Sequence, residues 1–440
     1  VPSATLAASL GVAQGDVDMA LASLESEGYV MRGTFSPGAA ETEWCERHLL
    51  ARIHRYTIGR LRREIEPVAP RDFLRFLLDW QHVTRATQVA GPDALAGIIG
   101  QLEGFEAAAG AWESELLPSR VGDYGIGWLD DLCRAGRVVW SRLRLGTGTG
   151  GPVRSTPIVL LPRRQLPVWS AAAPPAPDDV TLSSRAQAVD EALRDEGALF
   201  FDELASITRL LRTELEDALG ELVAAGRVTA DSFAGLRALL LPSSKRNANR
   251  HRRTRRHMMS GIEDAGRWSL ARRPSEQRND ADGLEHIART LLRRYGVVSW
   301  RILEREAAWL PSWRELRRVY HRLEARGEIR GGRFVDGLVG EQFALPEALA
   351  ALRQIRHREH DGEIVCIAGT DPLNLVGSIV AGMAKVPATL GNRIAIRDGV
   401  PLAAMVAGRF VALTPLEGDD ERDARGALQR KADMRSFASL

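Results

Sequence analysis

The sequence predicts an α+β chain of tandem winged-helix domains followed by a small C-terminal β-barrel, and three observations predict it. One pattern recurs four times, at residues 20–30, 128–138, 218–228 and 319–329. In each copy apolar residues three apart mark a helical face, a glycine follows (Gly28, Gly136, Gly226, Gly327), and a β-branched residue then opens a strand. A helix, a left-handed glycine at its end and a short hairpin make the back half of a winged helix, so four copies point to an array. After Glu363 the period changes from helix to strand, at 364–367, 393–397, 401–405 and 409–413, with Asp398-Gly399 as a hairpin turn. Finally, 440 residues exceed one ordinary core and suit three or four domains.

Residues 1–42 read as the first winged helix: a helix over 4–10, a turn at Gly11-Val12, a recognition helix over 16–27 and a wing over 29–35. Residues 43–165 read as a basic helical segment and a second winged-helix unit. The basic helix carries Arg47, Arg52, His54, Arg55, Arg60, Arg62 and Arg63 opposite Leu49, Leu50, Ile53, Ile58, Leu61 and Ile65, and Pro67 and Pro70 end it. The glycine-rich run 146–151 lacks a following Lys-Ser or Lys-Thr, so it is a connector and no phosphate-binding loop.

A strand over 157–162 leads to the proline and alanine linker 171–177, which should be extended. Residues 183–242 form the third winged helix, with paired helices over 201–211 and 214–225. Residues 243–282 read as a basic flexible linker, since Lys245, Arg246, Arg250, Arg252, Arg253, Arg255 and Arg256 run without an acidic residue among them. Such a run is either a solvated loop or an arm that meets phosphates. Residues 283–358 form the fourth winged helix, whose recognition helix presents Arg314, Arg317, Arg318, His321 and Arg322. Residues 359–440 complete the chain as the barrel with a charged C-terminal helix.

Composition bounds the function. Apolar content is 45%, with no run near the ~20 residues a membrane helix needs, so no membrane partner is expected. The start at Val1-Pro2-Ser3 lacks the basic and apolar regions of a secretory signal, and reads as the beginning of a piece of something larger. Cys45, Cys133 and Cys366 lie far apart, which argues against a disulfide framework and a cysteine zinc site and for a cytoplasmic location.

No metal-type histidine cluster, dinucleotide fingerprint, serine elbow or helicase motor motif occurs, so any chemistry must rest on carboxylates and amides. Gln101-Leu102-Glu103 fits. Hydrolysing the bond between base and sugar needs a pocket for a flipped base and a carboxylate to support an oxocarbenium-like centre or orient water. The rival reading has Gln101 and Glu103 capping the helix that ends near Leu102, and Trp112 and Trp128 as core residues. Backbone cleavage through a Schiff base needs an amine, and only Lys385 of three lysines lies in a folded part of the barrel, so a monofunctional glycosylase is expected.

The segments Trp44 to Arg55, Leu61 to Val68, Phe76 to Gln81, Trp112-Glu113 and Trp128 to Asp131 resemble the post-helicase region of bacterial Lhr, the large helicase-related protein family. Gly332 to Val335, Gly340 to Ala344, Thr370 to Leu375 and Gly391 to Arg393 resemble its extreme C-terminal part. The resemblance covers nearly the whole chain. It implies a DNA-repair superfamily 2 helicase whose C-terminal half is a row of winged helices and a barrel, similar to the AlkZ and YcaQ DNA glycosylases. It further implies a homo-oligomer that binds single-stranded DNA, or an RNA:DNA hybrid, and removes uracil. ATP and Mg would belong to the motor, which these residues lack, leaving no cofactor here.

In those glycosylases the site motif is Gln, an apolar residue, then Gln or Asp. Gln101-Leu102 match and Glu103 departs, keeping a carboxylate on a longer arm; Asp433 is the rival acid. The DNA contacts expected are Arg52, Arg55, Arg250, Arg252, Arg253, Arg314, Arg317 and Arg318. The alternative function is a non-enzymatic scaffold that assembles the motor and holds nucleic acid.

Overall fold

The computed structural model describes residues 1–39, 41–63, 66–144, 153–174, 181–240, 262–271, 280–379 and 382–429. It divides into two units, Val1–Glu66 and Pro67–Leu440.

In the first unit helix α1 (Ser3–Leu10) ends at Gly11, whose φ of 67° only glycine adopts cheaply, and α2 (Gln14–Ser26) follows. Strand β1 (Val30–Gly33) pairs antiparallel with β2 (Glu43–Glu46), and α3 (Arg47–Arg63) leaves the hairpin. Buried Glu43 accepts hydrogen bonds from the Phe35 and Ser36 amides at 2.8 and 2.6 Å and from the Ser36 hydroxyl at 2.9 Å, which pins the wing. The core is small: Ala7, Val17 and Leu21.

The second unit opens with α4 (Pro70–Trp80), started by a proline that needs no amide partner at the first turn. Its Phe73, Phe76 and Leu77 are buried. Then come β3 (Val89–Ala90), α5 (Pro92–Gln101), β4 (Ala107–Ala108), the short α6 (Ala109–Ala111) and a π-turn over Trp112–Leu116. Strand β5 (Val121–Gly122), α7 (Ile126–Arg134), β6 (Val138–Ser141), β7 (Pro157–Pro162) and α8 (Leu166–Ala172) complete this part. The sheet order is β4–β7–β6.

Helices α9 (Ser184–Asp195), α10 (Phe201–Thr208) and α11 (Arg212–Ala225) with β8 (Val228–Ala230) and α12 (Phe233–Leu240) make a further helical module. Strand β9 (Trp268–Leu270) pairs with β8, so residues 262–271, inside the stretch read as a linker, are ordered structure around a fully buried Trp268. The basic run itself, with Arg250, Arg252 and Arg253, lies outside the described residues, as does Asp433. One apolar core runs from Leu95 to Trp268 through both parts, and Trp140 meets Trp268 edge to face at 6.3 Å.

Helix α13 (Ala281–Tyr295), capped by the Asp280 carboxylate on the Gly283 amide, leads through β10 (Val297–Val298) and α14 (Trp300–Leu303) to α15 (Trp313–Ala325). A reciprocal Ser312 and Glu315 cap starts α15. Strands β11 (Arg330–Gly332) and β12 (Gln342–Ala344) form the wing, in the order β10–β12–β11, and α16 (Pro346–His357) packs back on α4. All four glycines of the repeated pattern have positive φ: 79° at Gly28, 68° at Gly136, 71° at Gly226 and 77° at Gly327.

The C-terminal part corrects the barrel expectation. Strands β13 (Ile364–Ala368), β14 (Arg393–Arg397), β15 (Val400–Val406) and β16 (Arg409–Ala412) form an open antiparallel sheet in sequential order, and among the described residues no pairing joins β16 to β13. Helix α17 (Gly418–Gln429) covers one face instead, burying Ala424 and Leu428 against Ala395, Leu402 and Ala403.

Candidate active site

The chain just beyond α5 carries the candidate carboxylate. Gly104 has φ of 78°, and a Cβ there would fall 2.2 Å from the Trp169 ring, so glycine lets the indole lie directly on this turn. Trp169, fully buried on α8, donates its indole N–H to Glu103 Oε1 at 2.7 Å. His286 Nε2, from α13, meets the same oxygen at 2.5 Å, and the Arg293 guanidinium lies 3.7 Å from Oε2. His286 and Arg293 are seven residues apart and share a face of α13. Arg294, fully buried, donates to the Glu103 carbonyl and to the Glu306 carboxylate.

The Glu103 side chain is 2% exposed, His286 23% and Arg293 51%. Burial pushes the Glu103 carboxyl upward, yet the bonds from His286 and Trp169 and the charges of His286 and Arg293 outweigh it and hold it below the usual glutamate range. Glu103 is therefore an ionised acceptor at neutral pH. Three residues on, burial pushes Glu106 up, against the pull of Trp309 and Arg144.

Gln101 points elsewhere. Its amide donates to the Trp80 carbonyl at 2.8 Å, and it lines a cavity of about 600 Å³ with Phe76, Trp80, His82, Ile355 and Arg358. The two motif residues thus have separate partners, and neither side chain caps α5. Trp112 is fully buried and donates to the Ile158 carbonyl, and half-buried Trp128 packs edge to face on Tyr124. Both are packing residues. Cys133 is buried, which pushes its thiol up to about 12, and none of the three cysteines is in a disulfide.

Of the expected DNA contacts, Arg314, Arg317 and Arg318 stand exposed on α15 and Arg52 and Arg55 on α3 of the first unit. Arg317 pairs with Glu341 at 3.5 Å. Arg314, Arg318 and Arg322 make one stripe at four-residue spacing, with no ion pair among the described residues. His286, Trp169 and Arg293 were not legible as site residues: 183 residues separate His286 from Glu103, and no local motif marks them.

Residues 68–163 and 277–364 each match a family model for the winged-helix domain of the large helicase-related protein. The chain carries Lhr winged-helix domains. It is 30% identical over 443 residues to the "Lhr helicase/ probable uracil glycosylase" of Mycolicibacterium smegmatis, covering 93% of this chain and 28% of that protein. It is 31% identical over 425 residues to the "Lhr helicase/uracil glycosylase" of Escherichia coli K12, covering 87% of this chain and 26% of that protein. The chain thus spans little more than a quarter of the length of these Lhr relatives. Among solved structures, the Streptomyces sahachiroi DNA glycosylase AlkZ aligns over 83% of this chain and 97% of its own, at a TM-score of 0.48 and 14% identity. No helix among the described residues is long and apolar enough to cross a membrane, and none of them form a cluster that would hold a metal.

Proposed function

We propose that this Lhr segment is a cytoplasmic DNA-repair module that holds single-stranded DNA on its winged helices and hydrolyses the bond between uracil and deoxyribose, without a cofactor of its own. The observation that carries the reading is Glu103, a carboxylate kept ionised while almost wholly buried, beside a half-exposed arginine. Such a group supports positive charge growing on the sugar more strongly than it would in water. The names of the two Lhr relatives agree with this chemistry.

The test is incubation of the protein with end-labelled single-stranded DNA bearing one uracil, followed by hot alkali. Strand breaks that appear only after alkali, and that vanish in Glu103→Gln with DNA binding retained, support a monofunctional glycosylase. Breaks without alkali contradict the monofunctional part, and no breaks at all overturn the enzyme reading.

A second reading, a scaffold that assembles copies of the chain, is favoured by one observation. Leu49, Ile53 and Tyr56 stand 40%, 49% and 67% exposed along α3, an apolar stripe unusual on a monomer. Sedimentation with and without DNA separates the readings, because assembly indifferent to DNA favours the scaffold.

A further inference from the structure

We propose that His286 is the group that meets water at the glycosidic bond, and that Glu103 stands behind it as a positioning residue. The inference rests on the glycosylase reading above and changes which side chain touches the reacting atoms. Glu103 is 2% exposed and its Oε1 already accepts from Trp169 and His286, while Oε2 faces Arg293. A carboxylate so enclosed has little room for a water aimed at a sugar. His286 keeps 23% of its side chain exposed, and its Nδ1 has no hydrogen-bond partner among the described residues.

The tautomer follows from the charge on Glu103. An ionised carboxylate can only accept, so His286 Nε2 carries the hydrogen whether the ring is charged or neutral, and in the neutral ring that acts as a base Nδ1 keeps its lone pair. A buried carboxylate behind an imidazole is the arrangement that fixes a general base in catalytic triads. Gly104, by admitting the Trp169 ring, and Asp280, by capping α13, help to hold the carboxylate and the histidine helix in place.

The step balances without an oxidant or a metal. Water gives a proton to His286 Nδ1 as its oxygen bonds to C1′ of the deoxyribose. The bond from C1′ to N1 of uracil breaks with both electrons leaving on the base. The imidazolium, facing Glu103, then returns the proton through solvent to the departing uracil anion. One water is consumed, and free uracil and an abasic site are formed. Arg293, on the same face of α13, offers a cation to the strand.

The experiment uses the 440-residue protein on the single-uracil strand with alkali development. His286→Ala should lower uracil release about 10²- to 10⁴-fold, the usual range for loss of a general base, with DNA binding retained. Added imidazole should restore part of the release in His286→Ala and none in Glu103→Gln, a difference that a purely structural role for either residue would not produce. His286→Gln keeps a donor for Glu103 but has no base, and should fold, bind and remain inactive if His286→Ala proves unstable. Undiminished release by both histidine variants, with wild type active, overturns the assignment alone. Loss of release without imidazole rescue in a folded, DNA-binding His286→Ala also overturns it. A wild type that releases no uracil sinks the glycosylase reading itself, and the assignment falls with it.

Discussion

Glu103 also matters to the stability of the fold, because its carboxylate ties the α5 turn to α8 and α13. Removing the charge leaves Trp169 and His286 with a weaker acceptor, at a cost of about 1–3 kcal/mol near neutral pH. The pH dependence has a definite sign. The folded carboxyl sits below its ordinary value of 4.5, so its contribution is present above that value and is lost as pH falls through the lower, folded one. Wild type should therefore lose stability more steeply than Glu103→Gln as pH drops below about 4.5, in urea titrations at stepped pH. Parallel curves for the two proteins would show that the carboxylate is not held down. At this scale the sequence marked Glu103 as an acid worth testing, but its partners became visible only in three dimensions. A carboxylate can be read from a motif; the burial and the distant histidine that set its charge cannot.

Single elements were more legible, because helices and turns are written in local order. The four pattern glycines fall where α2, α7, α11 and α15 give way to extended chain, each with positive φ, as the need for a left-handed residue there requires. Closure of the C-terminal sheet was not legible. Period-two alternation marks strands, but whether the first strand meets the last depends on non-local pairing and on what else can cover the sheet. Here the apolar side of α17 takes that place. Helix α15 carries the element-scale prediction. Arg314, Arg318 and Arg322 lie about 6 Å apart along one face, near enough to follow a strand's phosphates. Replacing all three with alanine should weaken single-stranded DNA binding at low salt. It should also flatten the log-log salt slope by about 2, from roughly 0.7 per phosphate lost. Fluorescence anisotropy from 50 to 200 mM salt reads both, and an unchanged slope would remove α15 from the interface.

Within the second unit, the helical layers and the C-terminal sheet are joined by a buried charge pair rather than by apolar packing alone. Arg120, fully buried, donates to both oxygens of Asp371 at 2.8 and 2.9 Å and to Gln81 at 2.8 Å, and Gln81 donates in turn to the Arg294 carbonyl, one residue beyond Arg293. The segment Thr370 to Leu375, noticed in the sequence only as a family resemblance, thus ties the end of β13 to the helical layers. Asp371→Asn keeps the shape but strands a buried guanidinium, which costs about 3–5 kcal/mol. Urea unfolding should record that loss, and hydrogen exchange should place the added opening in β13 and β14. If the pair matters through its charges and not through its volume, Arg120→Met with Asp371→Leu should be more stable than either single change, since no charge is then left unpaired. A double variant that merely sums the two losses would mean that the sheet is held by its other contacts, and that Arg120 and Asp371 contribute independently.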